Sequence, residues 1–215
     1  MTVGLTIAEP VDAARVELIR QAFLLEYVTV AWMIVEAAVA VASGTASGSI
    51  TLLAFGLDSL VELASALVLI WRLRVELRQG RQFAEEAERR ASRIGGALLF
   101  ALAAYVVIAA TWSLWTGRGE EFSLPGLFVS AVAMPVMWTL SRRKLVVAAA
   151  LGSGALRADA AESIACGWLS LVVVVGLIVQ LLTSAWWVDA ATALAIVYFL
   201  VREGREAWIG DGCSD

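Results

Sequence analysis

Apolar residues in this chain fill whole stretches of about 20 residues, a length that suits a membrane-crossing helix, and short polar or charged runs separate them. In hydrocarbon the backbone's polar groups find partners only inside a helix or a closed barrel. Six spans are expected, at about Leu24–Ala42, Ile50–Trp71, Ile94–Trp115, Leu127–Leu140, Leu156–Leu182 and Trp186–Val201. The breaks SGTASG and TGRGEEFSLPG mark turns, LGSG a flexible link. Pro135 is placed to kink the fourth span, and Arg142, Arg143 and Lys144 to stop it. Val11–Glu26 has helical spacing suited to the interface. Residues 72–93 carry seven arginines among glutamates, which predicts a solvated helical extension and loop. The expected organisation is a cytoplasmic or interfacial segment over 1–22, an all-α six-helix transmembrane domain over 23–202 with its cytoplasmic loop at 72–93, and a short tail over 203–215.

Composition agrees with that pattern. A hydrophobic fraction of 60%, a mean hydropathy of +0.82 and only 17% charged residues describe a polytopic membrane protein. Most of the nine tryptophans fall near the ends of apolar runs, where amphipathic rings favour the headgroup layer. Arg15, Arg20, the 72–93 arginines, the 142–144 run, Arg202 and Arg205 fall on one side, against Arg118 on the other. The positive-inside rule puts both termini in the cytoplasm of a multi-pass cell-membrane protein.

The chain has no histidine, which excludes imidazole-ligated haem and histidine zinc sites. No phosphate-binding loop, nucleophile elbow or cofactor motif occurs. The expectation is therefore a non-enzyme without a prosthetic group or nucleic-acid partner, driven by an ion gradient. Cys166 and Cys213, one in a span and one in the tail, suggest no disulfide.

Candidate chemistry lies in GSGALRADAAESIACGW, residues 152–168. Glu162 and Cys166 are four residues apart and share a helix face, and each ionisable group at membrane depth costs about 2.5–3.5 kcal/mol on insertion scales. A shift of 104 positions lays Gly152, Ser153, Leu156, Ala158, Glu162, Ser163 and Cys166 over Gly48, Ser49, Leu52, Ala54, Asp58, Ser59 and Glu62. Two spans thus carry one device, Asp58 with Glu62 and Glu162 with Cys166. Secondary transporters commonly place their site between such repeats.

GSITLLAFGLDSLVELASALVLI, GALRADAAESIACGWLSLVVVVGLI and WWVDAATALAIVYFLVREG resemble the transmembrane domain of cation diffusion facilitators. The resemblance implies six helices, cytoplasmic termini and a tetrahedral metal site from two i, i+4 pairs on the second and fifth helices. It also implies export of divalent metals against protons by a homodimer in membrane lipid. By position the metal residues are Asp58, Glu62, Glu162 and Cys166. The family commonly has His or Asp first and Asp second in each pair, so Glu62, Glu162 and Cys166 are departures. A short branch without the family's cytoplasmic metal-binding domain is expected. Three carboxylates and a thiolate suit Zn²⁺ best, with Fe²⁺, Mn²⁺, Co²⁺ or Cd²⁺ admissible as the transported ion.

Glu36 is a candidate proton relay or extra ligand. Asp159 is a candidate entrance ligand or a structural partner of Arg157. Gly48, Gly56, Gly152 and Gly154 are read as sites of close helix contact or bending. Two other functions fit these features, a proton-coupled small-molecule or drug exporter, and a non-transporting membrane subunit or metal sensor.

Overall fold

A computed structural model describes residues 13–79, 82–117 and 121–209, and every regular element among them is α-helical. In chain order these are α1 (Ala13–Ser47), α2 (Ile50–Gln79), α3 (Gln82–Thr116), α4 (Leu124–Leu151), α5 (Gly154–Thr183) and α6 (Val188–Ile209). The first 12 residues, Arg81, Arg118 and the DGCSD tail with Cys213 lie outside the described residues. Five helices, α1 to α5, contain stretches long and apolar enough to cross a membrane. The sixth, α6, packs among them against α2, α3 and α5. At 1.5 Å per residue, the 30 residues of α2 and of α5 span about 45 Å, longer than a hydrocarbon core of about 30 Å.

The helix ends explain the repeat. Gly48 and Gly152 adopt φ of 74° and 62°, the left-handed conformation that ends a helix at no steric cost to glycine. The next residue caps the following helix, since Leu52 N donates to Ser49 Oγ at 3.1 Å and Leu156 N to Ser153 Oγ at 3.3 Å. Residues 48–49 and 152–153 therefore make the same tight corner, and α5 begins 104 positions after α2. The expected flexible link at LGSG is instead this fixed turn.

Three contacts fix the topology. Glu121 N donates to Ser47 O at 3.0 Å, which seats the start of α4 at the α1–α2 corner. Asp189 at the start of α6 accepts from Ile50 N at 2.9 Å and Thr51 N at 3.3 Å, at that same corner. Arg15 Nη1 donates to Leu151 O at 3.3 Å, which brings the start of α1 to the α4–α5 corner. Both ends of the described chain therefore lie at one face, called the near face below. The corner at 48–49 lies at the far face, and α1–α3 runs in the opposite sense to α4–α6.

The bundle's outer surface is apolar. Ile108, Phe128, Val146 and Leu182 are 70–78% exposed. Inside, helices approach closely at small residues, so that a Cβ on Gly56 would stand 2.7 Å from Val41 and one on Gly176 would stand 2.4 Å from Thr192.

Candidate metal site and buried polar core

A buried polar network runs through the apolar core. On α1 the buried stripe Ile19, Ala22, Glu26, Thr29, Met33, Glu36 and Ala40 repeats at three- and four-residue spacing. Glu26 and Glu36 therefore point into the bundle. On α2, Asp58 and Glu62 are 3% and 6% exposed. On α5, Asp159, Ser163 and Cys166 are buried and Glu162 is nearly so.

The far-face half of the network centres on Glu36. Its carboxylate accepts from Trp32 Nε1 at 2.6 Å, from Ser59 Oγ at 2.7 Å and from Cys166 Sγ at 3.6 Å. Glu62, Glu36 and Asp58 all lie close enough to Cys166 to act electrostatically on its thiol. The residue expected as relay or extra ligand is thus joined to the α5 thiol. Ser59 and Ser163, equivalent in the repeat, both hold acids, since Ser163 Oγ donates to Glu62 Oε1 at 3.0 Å.

The near-face half centres on Lys144. Its ammonium is fully buried, is paired with Asp159, stands 3.3 Å from Glu26 Oε1 and donates to Ser163 Oγ at 3.4 Å. The chain Lys144–Ser163–Glu62 thus joins an ion triad to the acid pair. Here the sequence expectation is corrected twice. Arg142–Lys144 does not stop the fourth helix, which continues to Leu151, and Asp159 pairs with Lys144, not Arg157. Helical phase accounts for both results. Residues two apart differ by about 200° around an α-helix, so exposed Arg142 stacks on Trp138 at 4.8 Å while Lys144 joins the buried stripe Ala133, Met137, Leu140, Val147 and Leu151.

The four expected metal residues face one interior. Glu62 and Cys166 approach one another across the α2–α5 contact, Glu62 acts electrostatically on Asp58 and on Glu162, and Ser65 lies beside Glu162. Among the described residues no three acids or thiols stand close enough to share one ion in this conformation. Instead the polar side chains are held by serine hydroxyls and by one another. Sequence reasoning missed Glu26, Lys144, Asp189 and Glu203. All four fall on three- or four-residue stripes of buried positions, and that phase was the signal available.

This is a polytopic helical bundle with an inverted repeat and an acid-lined interior. Residues 27–208 match the family described as the cation efflux transmembrane domain, and the chain belongs to that family. It is also similar to a protein of Synechocystis sp. named an uncharacterized transporter, 28% identical over 162 residues, or 74% of this chain and 52% of that one. The chain spans about half the length of this curated relative. Membership places residues 27–208 among cation efflux transmembrane domains.

Proposed function

We propose that the chain exports divalent transition-metal cations, with Zn²⁺ the best fit, across the cell membrane in exchange for protons. The near face is cytoplasmic in this reading, and the working unit is a homodimer. The transported ion binds between α2 and α5 on Asp58, Glu62, Glu162 and Cys166. The observation that carries this reading is the approach of Glu62 and Cys166, one from each repeat, in an interior otherwise shut off from lipid.

Coupling follows from the donor set. Carboxylates and a thiol must be deprotonated to hold a metal, so one site takes metal and releases protons, or the reverse. Serine hydroxyls hold acids in this interior, Ser163 Oγ donating to the ligand Glu62 and Ser59 Oγ to the neighbouring Glu36. When an ion arrives, Glu62 turns from Ser163 towards it and the four donors contract around one centre. The inward proton gradient then drives the metal outward. Membership of the cation efflux family favours this reading over a drug exporter or a sensor subunit.

Proteoliposomes loaded with a pH dye and a zinc dye test it. Zn²⁺ flux accompanied by opposite proton movement, abolished in Asp58→Ala and Glu162→Ala, is the expected result. Zinc movement that leaves the lumenal pH unchanged would refute exchange.

A further inference from the structure

We propose that Glu203 on α6 is a cation-binding residue that stands beside Glu162 and extends the α2–α5 site towards the near face. This rests on the transport reading above and adds a ligand from a third helix. Helices α2 and α6 both start at the far face, locked together where Asp189 caps Ser49, Ile50 and Thr51. They run parallel from there, so Glu203, 15 residues after Val188, is level with Ser65, 15 residues after Ile50, each about 22 Å along its helix. Ser65 is the α2 residue that lies beside Glu162. Glu203 therefore stands beside Glu162 and about one turn below Glu62 on the near-face side. Consistent with this placement, Asp58, Glu62 and Glu162 are the foremost charges acting on Glu203.

The second observation concerns oxygens. Glu162 Oε2 and Glu203 Oε1 are both closed to solvent and have no hydrogen-bond partner. Glu26 Oε1 and Asp159 Oδ1 also lack a hydrogen-bond partner, but those acids face the Lys144 ammonium, while Asp189 is held by Ser49 and two backbone amides and Glu36 by Trp32, Ser59 and Cys166. Two adjacent carboxylates with spare oxygens, among further acids, repel one another and gain only from a cation or from protons. Lys144 is already engaged by Glu26 and Asp159. Glu203 is partly buried and lies three residues beyond Leu200 in phase with the buried Ala193, Ile196 and Leu200, so the helix turns it inward. On the same helix Glu206 is exposed and paired with Arg202 at 2.9 Å, which makes it the natural control.

The test is Zn²⁺ titration of the purified full chain in nanodiscs, with thermal unfolding measured on the metal-free protein. Glu203→Gln is isosteric and removes a charge that lacks a partner. It is expected to weaken Zn²⁺ binding by roughly tenfold or more while leaving metal-free stability equal to or above wild type. Glu206→Gln should match wild type in both. If Glu203→Gln binds Zn²⁺ as wild type does while Asp58→Asn and Glu162→Gln lose binding, the inference falls and the transport site stands. If neither Asp58→Asn nor Glu162→Gln changes binding, the transport reading itself falls. Weaker binding accompanied by a lower unfolding temperature, restored by Glu203→Asp in stability but not in affinity, would assign Glu203 a structural role and overturn the proposal.

Discussion

A lysine ammonium without solvent exposure, inside a membrane bundle, is expensive to keep, and its surroundings say what offsets the cost. Lys144 has Asp159 and Glu26 as counter-charges and Ser163 as a further acceptor. Removing one partner of such a group leaves the others charged and unpaired, at a cost of about 3–5 kcal/mol. Lys144→Met is therefore expected to lose stability on that scale, read by thermal unfolding in detergent. The neutral combination of Lys144→Met, Glu26→Gln and Asp159→Asn should recover most of the loss, because no uncompensated charge remains. A single variant as stable as wild type would mean that the triad contributes nothing. Cys166 is a different case. If its sulfur ligates the transported ion, Cys166→Ser should lower Cd²⁺ flux by a larger factor than Mn²⁺ flux, because thiolate selects the softer ion. Equal losses would remove the sulfur from the ligand set.

At the scale of elements, the glycines divide by backbone and not by packing. Gly152 has φ of 62° with no atom within 4 Å of an added Cβ, so a side chain there meets conformational strain alone. Gly152→Ala should cost about 1–3 kcal/mol. Gly154, just inside α5 and equally open, should accept alanine with no loss, or with a gain of up to about 1 kcal/mol. Comparative thermal unfolding of the two variants checks both outcomes. The same helices show what sequence could and could not reveal. Apolar runs and the Gly-Ser corners made the spans and the repeat legible, because membrane length and left-handed turns leave strong local marks. The acids of α2 and α5 were legible for the same reason. Lys144 was hidden because three successive basic residues look like a membrane boundary, whereas only the helical phase separates Arg142 and Arg143 at the surface from Lys144 inside. Asp189 was hidden because its role, capping α2 from α6, depends on two helices distant in sequence meeting at one corner.

For the whole molecule, the inverted arrangement of α1–α3 and α4–α6 gives the bundle two ends with similar corners but unlike fastenings. At the far face, Asp189 accepts from Ser49 Oγ and from two amides at the start of α2, and Thr51 Oγ1 returns a bond to Asp189 O at 2.8 Å. At the near face, the Lys144 triad ties α1, α4 and α5 together, beside the apolar cluster of Ile19, Leu69, Leu73, Val147, Leu151 and Leu156. A transporter that opens one end at a time needs fastenings that release separately. The two here share no residue, so each should control only its own end. Amide hydrogen exchange read by mass spectrometry distinguishes them. Asp189→Ala should speed exchange across residues 48–53 and leave 152–157 at the wild-type rate, while Lys144→Met should do the reverse. Each variant opening both corners together would show instead that the bundle loosens as one cooperative unit, and the two ends could not then serve as independent gates.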